Sequence, residues 1–132
     1  MWKSQQAFEF FKNTKAKVNT LSLGQKHERA ALKYLKQQGL NLKDKNVRFK
    51  AGEIDLIMTH QQQLVFVEVR FRNSESHGGA LASVDRKKQQ KLIKAAQLYL
   101  QQEFGNNPPS CRFDVVAVDG NLEILWIKNA FC

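Results

Sequence analysis

The sequence has few of the features that mark cross-linked or membrane-spanning proteins. Its 132 residues include two cysteines, Cys111 and Cys132, which are too few for a disulfide framework. No run of about eighteen apolar residues is present, so a transmembrane helix is excluded on length. Residues 1–20 carry basic side chains throughout and lack the apolar core of a secretion signal. We therefore expect a cytoplasmic protein with free thiols and no membrane contact.

Several catalytic motifs are also missing. The three histidines, His27, His60 and His77, lie far apart and form no zinc-ligand pattern with the cysteines. The phosphate-binding loop, the dinucleotide-binding glycine pattern and the nucleophile elbow of serine hydrolases are absent. Acidic residues are scarce, since twelve stand against twenty-one basic residues and the net charge is +9. This balance favours a polyanionic partner such as DNA or RNA.

Acidic residues lie inside two otherwise apolar, strand-like segments, residues 52–57 and residues 64–70. An isolated ionised carboxylate taken out of water costs several kcal/mol, so it must be paired, protonated or bound to a metal. Most surface carboxylates need no such explanation, but these two segments predict burial. This hairpin is therefore the expected place for chemistry.

The register of the hairpin follows from a short turn at residues 60–63, which sets residue 59 opposite residue 64. The same antiparallel register places Asp55 opposite Glu68. Side chains alternate across a strand, so each face is expected to have its own set of residues. The polar face carries Glu53, Asp55, Glu68 and Arg70, and the apolar face carries Ile54, Leu56, Val65, Val67 and Val69.

A cation would remove the repulsion between the two opposed carboxylates, which is about 3 kcal/mol at an effective dielectric constant of about 20. Arg70 could supply the charge as a structural ion pair, because a guanidinium binds carboxylates in a bidentate manner. A divalent metal is the alternative, since Mg²⁺ commonly takes one or two carboxylates and completes its shell with water and phosphate oxygens. The basic composition favours the metal.

Asp55 followed by Glu68-Val69-Arg70 resembles the metal-binding core of the PD-(D/E)xK nuclease superfamily, which has an aspartate on one strand and Glu-x-Lys on the next. More of the chain, about residues 21–128, resembles the narrower YraN-type family of bacterial proteins with a restriction-endonuclease-like fold. The matching segments are Gly24, Glu28-Arg29-Ala30-Ala31, Tyr34-Leu35, Asn46-Val47-Arg48, Gly52-Glu53-Ile54-Asp55-Leu56-Ile57, Phe66-Val67-Glu68-Val69-Arg70 and Arg112-Phe113-Asp114-Val115-Val116.

The resemblance implies a nuclease-like site in which Asp55 and Glu68 hold Mg²⁺ or Mn²⁺. It also implies that Glu28, from the first helix of the family, is a further acidic neighbour. Arg70 stands where the superfamily usually has lysine, and its guanidinium stays protonated and cannot act as a general base. Arg70 is instead expected to offset charge at the phosphate. Strand parity keeps Glu53 as an additional candidate.

The order of elements predicts an α/β three-layer sandwich, with a mixed central sheet of about five strands flanked by helices. This domain is expected over residues 21–132, preceded by an amphipathic helical extension over residues 1–20. Helices are predicted at residues 24–38, ended by Gly39, and at residues 83–103, capped by Ser83.

The first half of the long helix carries a basic cluster that is the best candidate for phosphate contacts, although a charged helix is usually a solvated face. Its members are Arg86, Lys87, Lys88, Lys91 and Lys94. Polar residues 73–79 predict a mobile loop beside the site. Asp114 interrupts an apolar strand, and we expect it to make structural hydrogen bonds.

The leading hypothesis is a Mg²⁺- or Mn²⁺-dependent nuclease acting on DNA. The alternative is a catalytically weak or inactive nucleic-acid-binding module of the same fold, in which Arg70 neutralises the carboxylates. A third hypothesis is a protein-interaction adaptor that uses the aromatic side of the N-terminal helix, where Phe8 and Phe11 lie. Whether the chain forms a homodimer is left open by the sequence.

Overall fold

A computed structural model describes residues 21–73 and 79–132 of the chain. Five strands form one mixed sheet in the order β1-β2-β3-β4-β5. The first three strands form an antiparallel meander, β4 pairs with β3 in parallel, and β5 returns antiparallel to β4. The elements are α1 (Leu23–Gln37), β1 (Asn41–Phe49), β2 (Gly52–His60), β3 (Gln63–Phe71), α2 (Gly79–Ala82), α3 (Arg86–Phe104), β4 (Cys111–Val118) and β5 (Ile124–Phe131).

The sheet is covered by one long helix on each face. Ala31 and Leu35 of α1 pack on Met58 and its neighbours, whereas Ala95 and Tyr99 of α3 pack in a separate cluster on the other face. Burying each such aliphatic or aromatic side chain stabilises the fold by about 1.5–3 kcal/mol. The parallel step from β3 to β4 crosses over through α3, as parallel neighbours require. The predicted three-layer α/β sandwich is confirmed.

Side-chain alternation along β2 is interrupted before its middle. Leu56 packs on the α1 side, as expected, but Ile54 joins Ile57 and Phe66 in the cluster under α3. The prediction that Ile54 and Leu56 share a face is therefore wrong. Opposite this point β1 contains Asn46, whose φ of 52° lies in the left-handed region. The strand thus changes the face of its side chains next to Asp55.

The β2–β3 turn contains two residues, and the turn fixes the register of the hairpin. Gln61 and Gln62 have φ values of 51° and 69°, which is the backbone of the tight turns that match strand twist. The predicted pairs of residues 57 with 66 and 59 with 64 are both present. β1 pairs with β2 from Asn41 to Phe49, and the pairing shifts in register between Leu42 and Asp44.

Helix caps explain where the long helices begin. Ser22 and Gln25 form a reciprocal capping box at α1. α3 begins at Arg86, where the Asp85 carboxylate accepts a 2.8 Å hydrogen bond from the backbone N–H of Lys88. The prediction of Ser83 as the cap is wrong, because Ser83 lies between the short α2 and this cap. Gly39, with φ of 95°, follows α1 as predicted.

Gly52 allows the start of β2 to approach α3 closely. A β-carbon built at Gly52 would lie 3.0 Å from the backbone oxygen of Lys91, whereas one at Gly24 would have no neighbour nearer than the Ser22 hydroxyl at 4.0 Å. We expect Gly52→Ala to lower the free energy of unfolding by about 1–3 kcal/mol, since a helix carbonyl must move. Gly24→Ala, inside α1, should raise it by about 0.5–1 kcal/mol.

Urea unfolding of both glycine variants measures the difference. A Gly52→Ala protein as stable as the parent would show that β2 and α3 do not meet so closely. The Gly24→Ala variant controls for the general effect of removing a glycine from the unfolded chain.

Some predictions fall outside the described residues. The N-terminal helical extension lies in residues 1–20, and most of the predicted loop lies in residues 74–78. Within the described part of the chain, every helix is too short or too polar to cross a bilayer. Cys111 and Cys132 are both exposed free thiols, as predicted.

Candidate active site

Asp55 lies where β2 and β3 separate. The regular pairing between these strands ends at Leu56 and Val67. At the next residue of β2, a side chain replaces the backbone as hydrogen-bond acceptor. Oδ2 of Asp55 accepts a 2.8 Å hydrogen bond from the backbone N–H of Val69. The carboxylate is therefore held in place by the neighbouring strand, and it satisfies a donor that the interrupted ladder leaves free.

Glu68 is the buried member of the pair. Its side chain is 5% exposed, and Oε2 lies 3.5 Å from Nζ of Lys88 in the first turn of α3. This ion pair is too long for a good hydrogen bond, and Oε2 accepts none within the described residues. Burial, followed by a hydrogen bond to Asp55 and the negative charge of Asp55, raises the pKa of Glu68 to about 8. Burial and the neighbouring Asp55 therefore favour the protonated form of Glu68, while Lys88 favours the charged form.

The predicted polar face divides between the two sides of the sheet. Glu53 and Asp55 line a cavity under α1, whereas Glu68 and Arg70 reach residues near the start of α3. The prediction that all four share one face is wrong, because alternation is interrupted beside Asp55. The carboxyl groups of Asp55 and Glu68 nevertheless interact. They meet because the two strands have separated at this point.

Glu28 joins this acidic group from α1, as the resemblance implied. It lines the same cavity of about 480 Å³ as Glu53 and Asp55. Burial raises the pKa of Glu28, as does the nearby charge of Asp55, while a hydrogen bond from Asn46 acts in the opposite direction. Glu53 is partly neutralised by Arg48, whose Nε lies 3.4 Å from Oε1. The cavity therefore has three carboxylates in its lining.

Arg70 does not neutralise the acidic pair directly. Its Nε donates to Oγ of Ser83 and its Nη2 donates to the Ser83 carbonyl, both at 3.2 Å. In the described part of the chain, Arg70 forms no ion pair with Asp55 or Glu68. Its positive charge lowers the pKa of Glu68 less than that of Lys88 does. Arg70 therefore ties β3 to the segment before α3, and Lys88 is the nearer cation.

The acidic pair suits a divalent cation with an incomplete protein shell. Across residues 21–73 and 79–132, no three residues of His, Cys, Asp or Glu converge into a metal cage. Two carboxylates are nonetheless enough for Mg²⁺, which retains water and takes phosphate oxygens as further ligands. The observation that fits a cation is the buried carboxyl of Glu68, which interacts with Asp55 and whose Oε2 has no hydrogen-bond partner among the described residues.

The basic residues of α3 divide into two groups. Lys88 lies against Glu68, while the others are exposed on the helix. Lys50 of the β1–β2 turn adds a cation that the sequence did not indicate, because Gly52 brings this turn against α3. Four lysines line an open groove of about 490 Å³, here called the lysine groove. They are Lys50, Lys87, Lys91 and Lys94.

Asp114 has the structural role that was predicted. It is fully buried and accepts hydrogen bonds from the Arg112 guanidinium, from Nε1 of Trp126 and from the backbone N–H of Asn129. These donors tie β4 to β5 across an irregular pairing. Asp114 is therefore a packing residue and contributes no free oxygen to the site.

Comparison with known proteins identifies the family. Residues 27–118 match the model described as Uncharacterised protein family UPF0102. The chain belongs to the UPF0102 family. A UPF0102 protein of Herminiimonas arsenicoxydans is 53% identical over 108 residues, which cover 82% of this chain and 85% of that protein. The UPF0102 protein of Janthinobacterium sp. (strain Marseille) is 54% identical over 107 residues, covering 81% and 85%.

The similarity extends over nearly the whole length of other relatives. The UPF0102 protein of Shewanella loihica (strain ATCC BAA-1088 / PV-4) is 48% identical over 111 residues, covering 84% of this chain and 95% of that protein. The region matched by the UPF0102 model contains Glu28, Asp55, Glu68 and the basic part of α3. The YraN-type family assignment made from the sequence is confirmed.

Sequence reasoning missed three components of this region. They are Lys88 as the partner of Glu68, Lys50 in the lysine groove, and the ring pair of His27 with Phe71. Phe71 ends an apolar strand and His27 lies inside α1, so neither carried a signal of its own. Each contact joins residues of different elements that lie 20 or more residues apart in sequence, and the nearest such pair is Glu68 with Lys88. Only the folded arrangement identifies them.

Proposed function

We propose that this chain is a Mg²⁺- or Mn²⁺-dependent nuclease that hydrolyses phosphodiester bonds in DNA. The observation that supports the proposal best is the interaction of Asp55 with the buried Glu68, whose Oε2 lacks a hydrogen-bond donor in the part of the chain that the structure describes. Lys88 lies beside Glu68, and the lysine groove lies on the same helix, which suits an anionic polymer.

In this proposal each residue of the pair holds a defined state. Asp55 is fixed by the Val69 N–H, so one oxygen is oriented before any ligand arrives. Glu68 keeps a proton at neutral pH in the free protein and releases it when a cation binds. A divalent ion held by the two carboxylates would supply charge neutralisation at the phosphate and a lower pKa of the attacking water.

Lys88 and Arg70 have different roles in the proposal. Lys88 places a positive charge beside Glu68, and its side chain is 41% exposed, so the ammonium could turn toward a phosphate. Arg70 holds Ser83 and positions the segment that leads into α3. Arg70 thus occupies the sequence position of the usual lysine, but its guanidinium contacts Ser83, and Lys88 is the cation beside Glu68.

The test is cleavage of labelled single-stranded, duplex and branched DNA with and without Mn²⁺. We expect metal-dependent cleavage that falls at least about 100-fold in Asp55→Asn and Glu68→Gln, since each removes a metal ligand. Lys88→Ala should reduce it about tenfold or more, whereas Lys36→Ala, an exposed lysine at the end of α1, should not change it. Absence of Mn²⁺-dependent cleavage, or full activity in Asp55→Asn, would refute the proposal.

The alternative of a nucleic-acid-binding module is favoured by one observation, which is that Lys88 already pairs with Glu68. That module would bind DNA in a salt-sensitive manner and leave it intact in Mn²⁺. Arg70→Lys then separates the two cases, because restored cleavage would mean that activity was lost at this position alone.

The lysine groove gives a prediction for binding. Replacing Lys50 and Lys91 together with glutamine should reduce the slope of log K against log salt concentration by about 2 for duplex DNA, because each lysine neutralises one phosphate. Filter binding or fluorescence anisotropy over a salt series measures the slope. Lys33→Gln with Lys36→Gln, on exposed positions of α1, is the charge-matched control. Equal slopes for both double variants would remove the groove from the interface.

A further inference from the structure

Phe71 presents an aromatic ring at the rim of the cavity under α1. The side chain is 57% exposed, yet the ring is held from behind by His27, with ring centroids 5.0 Å apart and planes at 23°. His27 itself is only 8% exposed. One face of Phe71 is therefore covered and fixed in orientation, while much of the ring remains available to a planar ligand.

The cavity that Phe71 borders is large enough for a small planar group. Its volume of about 480 Å³ lies in the range of small-molecule sites, about 300–1,000 Å³. Asp55 and Glu28 line the same space. A ligand stacked on Phe71 would thus lie next to the acidic pair without any movement of the strands.

The charges in the cavity select which part of a nucleotide could enter. Three carboxylates line it, those of Glu28, Glu53 and Asp55, against the single guanidinium of Arg48, which already pairs with Glu53. A phosphate would be repelled by this lining, whereas a neutral base would find acceptors for its exocyclic N–H groups. The lysine groove lies under the opposite helix and suits the phosphates instead.

We infer that the His27–Phe71 cavity binds one unpaired nucleobase, stacked on Phe71. The inference rests on the proposed nuclease function and narrows its substrate class to nucleic acids with unpaired nucleotides, such as single strands, flaps and branch points. A base inside a continuous duplex is already stacked and its pairing edge is occupied, so it cannot enter without being extruded. Stacking of unpaired bases on aromatic side chains is a common mode of single-strand binding.

The test is metal-free binding of two oligonucleotides that carry the fluorescent base 2-aminopurine at the same position. In one it lies in an unpaired flap, and in the other it is fully paired. We expect quenching of the flap probe only, with Phe71→Ala weakening flap affinity about tenfold. Phe71→Tyr should retain parental affinity, because it keeps the ring. Leu98→Ala, which removes an exposed apolar side chain of α3, should also retain it.

The binding and cleavage results test the base site and the nuclease proposal independently of each other. Flap binding by Phe71→Ala as tight as that of the parent, or equal quenching of the paired probe, would overturn the inference even if Mn²⁺-dependent cleavage is found. Ring-dependent quenching without any cleavage would support the base site and refute the nuclease. A melting temperature for each variant shows whether Phe71→Ala is still folded. If Phe71→Ala is unfolded, the flap affinity of Phe71→Tyr is compared with that of the parent instead.

Discussion

Replacing Glu68 with glutamine will make the protein more stable at alkaline pH, and the gain will grow as the pH rises. The pKa of Glu68 is raised from 4.5 to about 8 in the fold. The stability that this neutral carboxyl contributes is fully present below pH 4.5 and is lost as the pH rises through about 8. Glutamine keeps a neutral side chain of the same size. We expect an advantage of about 2–4 kcal/mol above pH 8.

Urea unfolding of parent and variant at a series of pH values between 5 and 9 measures this difference. Trp126 fluorescence reports the transition, since its indole N–H on β5 donates a hydrogen bond to the buried Asp114 of β4. Glu123→Gln, which changes an exposed carboxylate in the β4–β5 turn, is the control. If the curves of the parent and Glu68→Gln ran parallel over the whole range, Glu68 would not be a buried neutral acid.

The same substitution should have the opposite effect on metal binding. Mn²⁺ is expected to raise the melting temperature of the parent, because it replaces the proton shared by the acidic pair and binds only the folded chain. Glu68→Gln should be insensitive to Mn²⁺. A substitution that raises the free energy of unfolding but abolishes the stabilisation by Mn²⁺ is typical of a residue kept for function at a cost in stability.

Replacing Asp114 with alanine will lower the free energy of unfolding by about 3–5 kcal/mol, the cost of breaking a buried ion pair on one side only. Asp114 is 0% exposed, and its oxygens accept from Arg112 at 3.0 Å, from Trp126 at 2.9 Å and from the Asn129 N–H at 2.9 Å. Alanine would leave the guanidinium of Arg112 with Gln63 and His60 as its hydrogen-bond partners among residues 21–73 and 79–132.

Chemical unfolding and the near-ultraviolet circular dichroism of the tryptophans measure this effect. Asp85→Ala, which removes the cap of α3, should cost only about 1 kcal/mol and provides the comparison for loss of an exposed aspartate. A loss at Asp114 no larger than that at Asp85 would mean that the network contributes little.

The architecture was accessible from the sequence because local signals agreed with the global arrangement. Apolar alternation and a short turn expected at residues 60–63 were enough to pair Ile57 with Phe66 and Thr59 with Leu64. The buried residues of α3, which are Leu92, Ala95, Ala96 and Tyr99, recur at helical spacing. The three-layer arrangement then follows, because each helix must cover one side of the sheet.

The errors lie where neighbouring segments override local rules. Strict alternation placed Ile54 with Leu56, but Ile54 follows Gly52 toward α3 and packs with Ile57. Ser83 and Asp85 are both good capping residues, and only the geometry of α3 shows that Asp85 is the cap. Propensity alone cannot choose between two caps two residues apart.

The candidate site was predictable in its acids but not in its cations. Glu28, Asp55 and Glu68 were identified by their residue type in otherwise apolar surroundings and by resemblance, and the fold places them near one another. Arg70 was expected to face the carboxylates from its position on the strand. Its long side chain reaches Ser83 instead. Lys88 pairs with Glu68 from α3, and the spacing of the sequence could not predict which residues of that helix contact the sheet.

The hydrogen bond from Val69 to Asp55 gives this molecule a natural spectroscopic reporter. Most backbone N–H groups of a sheet donate to a carbonyl of the neighbouring strand. The Val69 N–H donates instead to Oδ2 of Asp55, with 2.8 Å between the nitrogen and the oxygen. Its nuclear magnetic resonance shift will respond to any change of charge on Asp55, while the amides of Phe66 and Leu64 deeper in the hairpin stay constant. A single backbone signal can thus follow occupancy of the acidic pair during a titration, without a label or a substrate.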